Sequence, residues 1–148
     1  MFRLFMNDLE TAKTLLTQRE LTLIIVKNGE TLYETKSHRI SGFLNAMDEC
    51  GVKLENAAVA DKIVGKAVAL LCVCSGITAV YAETLSVKAK DFFEKQGIVL
   101  EWRELVDNIL NDKKDDVCPF EKEAANITNP KKAYDRFRLL QQRLRGCR

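Results

Sequence analysis

A chain of 148 residues fits one domain, large enough to bury roughly 68–70% of the surface that its unfolded form exposes. Its 47% hydrophobic and 30% charged content, with only 7 Gly and 2 Pro, excludes a chain dominated by disorder or long linkers. The net charge is +2, but from Asn129 onward Lys131, Lys132, Arg136, Arg138, Arg143, Arg145 and Arg148 face only Asp135, which gives +6 there and −4 over the remainder.

Five cysteines, Cys50, Cys72, Cys74, Cys118 and Cys147, form an odd set without repeated spacing, which fits reduced thiols and a cytoplasmic location. The stretch from Met1 to Asp8 turns polar too soon for the core of a signal peptide. No apolar run approaches the roughly 20 residues of a membrane span, so the reading is of a chain without a membrane partner.

In chain order, Asn7-Asp8-Leu9-Glu10 reads as a capping box that opens a helix to about Gln18, with Leu9, Ala12, Leu15 and Leu16 on one face. The β-branched run Leu21 to Lys27, then Asn28-Gly29, then Thr31 to Thr35, is a hairpin signal with strands near 21–27 and 30–36. Ser41 to Cys50 has helical spacing, and Gly51 suits the residue after its end. A further helix is expected to begin between Asn56 and Asp61 and to run to about Cys74, its second half apolar all round and therefore central. Ile77 to Ala82 reads as a strand, Ser86 as the N-cap of a helix through Gln96, Gly97 as its stop and Ile98 to Trp102 as another strand. Asp107 to Asp116 is a charged loop. Cys118-Pro119 opens a short helix, and Asn129-Pro130 opens a basic last helix near residues 130–145. The alternation favours one α/β domain over residues 1–148, with a mixed four- to five-stranded sheet between helices in three α-β-α layers.

The cluster Ala60-Asp61-Lys62-Ile63-Val64-Gly65-Lys66-Ala67 precedes the longest apolar run, Ala67 to Cys74. On a helix start, Lys62 and Lys66 project from nearly one face beside free backbone amides, an arrangement that holds phosphate or carboxylate, with Asp61 orienting a lysine or acting as acid or base. The plainer reading is that Asp61 favours the helix dipole, Lys62 is solvated and Lys66 runs its stem along the core to water. A Gly65 within the helix permits close packing. Position 60 is Ala and position 67 is Ala, so this is not a Walker loop.

Cys118 before Pro119 sits at a helix N-cap, where the dipole favours thiolate, although Asp115, Asp116 and Glu121 oppose it; an inert thiol beside a turn is the alternative. Cys72 and Cys74 point to opposite sides of a helix and read as core. His38, the sole histidine, falls in an exposed Lys36-Ser37-His38-Arg39 loop. One His and no Cys-x-x-Cys leave no ordinary zinc spacing, so no metal and no cofactor is expected. Glu83-Thr84-Leu85-Ser86 joins a strand end to a helix start, where open α/β sheets place ligands; Ser86 also reads simply as a cap. The last helix carries Ala133, Phe137, Leu140 and Leu144 on one stripe, with its arginines outward as a solvated face or as phosphate contacts for nucleic acid.

The hairpin with Lys27-Asn28-Gly29-Glu30, the Ala60 to Ala67 motif and Cys118-Pro119-Phe120-Glu121 resemble an uncharacterised prokaryotic domain-of-unknown-function family of cytidine-deaminase-like fold, over roughly residues 8 to 135. Deaminases of that fold hold zinc through a His or Cys before a catalytic Glu at one helix start and a Pro-Cys-x-x-Cys segment at the next. Ala60-Asp61-Lys62 and Thr84-Leu85-Ser86-Val87-Lys88 carry no such ligand, so the resemblance implies the scaffold with another pocket.

The expectation is therefore a zinc-free domain that binds a small anionic or nucleotide-like ligand through Asp61, Lys62, Lys66, Glu83 and Ser86. Two alternatives stand beside it: a metal-independent enzyme using Cys118 or Asp61, and a nucleic-acid or protein-interaction module acting through the basic last helix.

Overall fold

The structure, a computed structural model, describes residues 7–38 and 40–146; Met1 to Met6, Arg39, Cys147 and Arg148, which enter the readings above, lie outside the described residues. The elements run α1 (Asp8–Gln18), β1 (Leu23–Lys27), β2 (Glu30–Thr35), α2 (Ser41–Cys50), a 3-10 turn (Gly51–Leu54), β3 (Ala58–Val64), α3 (Lys66–Cys74), β4 (Ala79–Ser86), α4 (Val87–Lys95), β5 (Val99–Val106), α5 (Pro119–Ala124), a second 3-10 turn (Pro130–Lys132) and α6 (Ala133–Gly146). Local chemistry sets most of their ends. Asn7 Oδ1 accepts from Glu10 N–H at 2.8 Å, and Asn129 Oδ1 accepts from Lys131 N–H at 3.1 Å. The hairpin turn has φ 52° at Asn28 and 79° at Gly29, and Asp8 accepts from both N–H groups at 2.9 Å, tying the start of α1 to the turn.

The five strands form one mixed sheet in the order β2-β1-β3-β4-β5. β1 is antiparallel to both β2 and β3, whereas β3, β4 and β5 are parallel. Side chains alternate across the sheet. Ile24, Val26 and Ala60 pack with Ala12 and Leu16 of α1 on one face. Leu23, Ile25, Val59, Val80 and Ala82 face a larger core built from α2, α3, α4, Phe120 of α5 and Phe137 of α6. This is the three-layer α/β architecture, with one helix over one face and the remaining helices on the other. Helix α3 lies inside that second layer, with Ala67 to Cys72 all buried, as its all-round apolarity requires.

One element differs from expectation, and it bears on the site. The segment read as the first half of a long helix is β3, hydrogen-bonded between β1 and β4. Ala58, Val59 and Ala60 are all buried because the strand has neighbours on both edges and helices over both faces. A strand in that position loses its period-2 signal, and its alanines favour the helical reading. Asp61 and Lys62 thus occupy successive positions on a strand, and the four-residue spacing of Lys62 and Lys66 does not place them on a common helical face. Gly65 is the N-cap of α3 rather than a residue within a helix.

β4 and β5 also extend past the expected ends, to Ser86 and Val106. Ser86 closes β4 and opens α4: it is 1% exposed, and its Oγ accepts from Ala89 N–H at 3.1 Å. Ser86→Ala leaves that amide unpaired inside the protein. It should lower the unfolding free energy by about 1 kcal/mol in urea titration, with Ser86→Asn or Ser86→Thr recovering part of the loss.

Candidate functional site

β3 and β4 end side by side, and each feeds directly into a helix, α3 after Gly65 and α4 after Ser86. At the β3 end lies a cavity of about 720 Å³, walled by Thr22 and Leu23, by Ser37, His38, Ile40, Gly42 and Phe43, and by residues between Ile109 and Glu121. Leu23, Ile40, Phe43, Val68 and Phe120 make its apolar wall. Asp61, Lys62, His38, Asn111, Cys118 and Glu121 supply polar groups.

Asp61 sits opposite Leu23 of β1 and Ala82 of β4, so strand pairing fixes its backbone on both edges. Its alternation with Val59 directs it to the large-core face, where the cavity lies. Oδ1 accepts from Ile63 N–H at 3.2 Å. Burial pushes its carboxyl pKa up to about 7; the Ile63 and Lys62 N–H groups oppose that rise, and the negative charge of Glu83 adds to it. A carboxyl held near neutrality in a cavity both donates and accepts protons at physiological pH.

Glu121 makes the second arrangement. Oε1 accepts from Lys66 N–H and Oε2 from Ala67 N–H, both at 2.9 Å, so a carboxylate from α5 occupies the first amides of α3. Burial raises the Glu121 pKa, against the two N–H groups and the nearby charges of Lys88 and Lys66. Gly65 makes room for it, since a Cβ there would stand 2.5 Å from the Glu121 carboxylate. The backbone at Gly65 has φ −108°, which any residue adopts, so the requirement is space and not conformation.

The structure separates the residues that the sequence grouped. Asp61, Lys62 and Cys118 line one cavity. Lys66 begins α3 outside that lining, and its backbone amide is taken by Glu121. Glu83 falls with Tyr81 on the face of β4 opposite Ala82, and Ser86 is committed to capping α4. Cys118 is the N-cap residue of α5, and its N–H donates to Ile109 O at 2.9 Å. His38, read as an exposed loop residue, lines the cavity too.

Glu121 itself went unrecognised as part of the site. As the third residue of a helix that starts at Pro119, it carries the sequence signal of a group that reaches back to its own helix start, and nothing local points to α3. The basic helix is partly spent on the fold: Arg136 pairs with Glu123 at 2.5 Å, and Arg138 bonds Asp48 and Tyr134. Lys131, Lys132, Arg143 and Arg145 remain exposed.

Zinc does not fit the residues present at the helix starts. α3 opens with Gly65, Lys66 and Ala67, and α4 with Ser86, Val87 and Lys88. Among the described residues, no group of three or more His, Cys, Asp or Glu side chains is placed to hold a metal ion.

A three-layer α/β domain with a cavity at the C-terminal end of a central strand is the class that this geometry defines. A family model described as a domain of unknown function, DUF1893, matches residues 11–141, and the chain belongs to that family. The crystal structure of a DUF1893 family protein from Thermotoga maritima is similar at TM-score 0.78 and 21% identity, covering 93% of this chain and 90% of that one. Two structures of dCMP deaminase from the cyanophage S-TIM5 are similar over 64% of this chain. The apo form gives TM-score 0.47 at 15% identity and 93% of that chain; the complex with dCMP and dUMP gives 0.44 at 14% and 92%. No curated protein matches the chain.

Two outcomes follow from the geometry. Gly65→Ala should expel the Glu121 carboxylate and destabilise the protein by about 1–3 kcal/mol. In a Glu121→Ala background the same substitution should cost much less, and a double-mutant cycle in urea reads the difference. Asp61 binds its proton more tightly folded than unfolded, so its contribution to stability is greatest at low pH and is lost as pH rises from about 4 to about 7. Asp61→Asn should therefore stabilise the protein at pH 8 by about 2 kcal/mol, a value reduced from the full shift because the carboxyl borders an open cavity. At pH 4 it should be nearly neutral.

Proposed function

We propose that this domain binds a small nucleotide-like molecule in the cavity at the end of β3. The observation that carries the proposal is the Asp61 carboxyl, held near neutrality by burial and set into a wall otherwise built of Leu23, Phe43, Val68 and Phe120. The volume, about 720 Å³, lies in the range that encloses a small organic ligand. Apolar walls suit the faces of a ring, and a carboxyl on the wall suits its N–H edge. Lys62, exposed at the rim, suits a charged substituent. A simple inorganic anion is a poorer match, because Glu121 already fills the amides of α3 that would receive it.

A second reading draws on the same residue. A carboxyl with pKa about 7 in the same cavity as Cys118 supports metal-independent acid-base chemistry, with Asp61 giving or taking the proton. The basic last helix supports a nucleic-acid or protein contact less well, since Arg136 and Arg138 are engaged in ion pairs.

Thermal-shift and calorimetric titration with nucleobases, nucleosides, nucleotides and inorganic phosphate tests the main reading. Ring-bearing ligands should stabilise the protein and phosphate alone should not. Asp61→Ala should abolish the effect, Lys62→Ala should weaken nucleotides more than nucleosides by about tenfold, and Lys66→Ala should leave binding unchanged. Absence of any ring-bearing ligand dependent on Asp61 would remove the proposal.

A further inference from the structure

Asn28-Gly29 is the only Asn-Gly pair in the chain. It forms the exposed two-residue tip of the β1–β2 hairpin, between the paired Lys27 and Glu30. Asn before Gly is the pairing most open to spontaneous deamidation, because a following residue without a side chain lets its nitrogen reach the Asn carboxamide carbon.

In that reaction the Gly29 nitrogen, having lost its proton to solvent base, attacks Cγ of Asn28. The new N–Cγ bond closes a succinimide ring, and the Cγ–Nδ2 bond breaks as the carboxamide nitrogen takes up a proton and leaves as ammonia. Water then opens the ring at either carbonyl. The product is aspartate at position 28 or isoaspartate, in which Cβ and Cγ have become part of the main chain.

Packing leaves room for the ring, since no atom beyond the chain neighbours lies within 4 Å of where a Cβ on Gly29 would stand. What holds the turn is Asp8. Its Oδ2 accepts from Asn28 N–H and its Oδ1 from Gly29 N–H, both at 2.9 Å, across 20 and 21 residues of sequence. The attacking nitrogen is thus the donor of one of these two bonds. Charge-assisted bonds to both amides fix the turn, so Gly29 N must leave its partner before it can swing onto Cγ. The deprotonated nitrogen is also an anion, and a carboxylate 2.9 Å away disfavours it.

Asp8 is the first residue of α1, whose Ala12 and Leu16 pack with Ile24, Val26 and Ala60 of the sheet. The same grip therefore pins the start of that helix to the hairpin tip. Isoaspartate lengthens the backbone of a turn whose geometry depends on having two residues, and either product adds negative charge to the tip that Asp8 holds. Modification and grip oppose each other.

We infer that Asn28 is a deamidation site restrained by the Asp8 carboxylate, and that its conversion loosens the start of α1 from the hairpin.

Incubation of the full chain at pH 8, followed by peptide mapping with mass spectrometry that separates aspartate from isoaspartate, tests this. Asn28 should convert slowly in the folded wild type. Asp8→Ala should speed the conversion at least about tenfold. Asp8→Asn, which keeps one acceptor oxygen and no charge, should fall between the two and serves if Asp8→Ala does not fold. Ser86→Ala lowers stability without touching the turn and should change the rate far less. In the isoaspartate form, hydrogen exchange should be faster in α1 and at the turn and unchanged in α4. A rate that Asp8 substitutions leave equal or make slower would overturn the inference. So would Ser86→Ala matching Asp8→Ala, which would mean that the reaction runs through global unfolding, or exchange in α1 that deamidation leaves unaltered.

Discussion

The Glu121 carboxylate seated on the first two amides of α3 is the contact on which the arrangement of this domain turns. Helix α3 is almost wholly apolar and lies within the layer that covers the sheet, so its positive end cannot be left to water. The chain meets that demand with a carboxylate 55 residues further on in sequence, accepting from Lys66 and Ala67 in a bidentate grip. The grip holds α5 against α3, and with it the segment from Ile109 to Glu121 that forms one wall of the cavity. Gly65 is the other half of the contact, because only a residue without Cβ leaves space for the carboxylate.

From that contact the electrostatics of the cavity follow. With the helix amides satisfied internally, the site keeps no open anion hole at α3, and its polar character comes from Asp61, Lys62 and His38 around an apolar wall. Asp61 is held by pairing on both sides of β3, so its position is set by the sheet and not by a flexible loop. Rigid placement together with burial gives a carboxyl whose proton is exchangeable near neutral pH.

Much of the fold was legible along the chain. The Asn7 cap, the Asn28-Gly29 turn, α2, the Ser86 cap and the short helix after Cys118 are each set by residues within a few positions of one another, and local reasoning reaches them. β3 was not legible in that way. Ala58, Val59 and Ala60 are buried on both faces, so neither a period of two nor a period of 3.6 separates strand from helix. Of the candidate site residues, Asp61, Lys62 and Cys118 meet at one cavity, while Lys66, Glu83 and Ser86 lie outside its lining: Lys66 begins α3, Glu83 belongs to the neighbouring strand β4, and Ser86 caps α4.

The sequence by itself determined the class of the fold, the starts and stops of the helices other than α3, the hairpin and the charges that mark the β3–α3 junction, since all of these depend on periodicity and on hydrogen bonds between near neighbours. Only the tertiary structure decided that the junction is strand then helix, that Glu121 supplies the missing anion, and that His38 and Cys118 share a cavity with Asp61. Those are contacts between segments far apart along the chain. Pairing and packing fix them, and no local spacing encodes them.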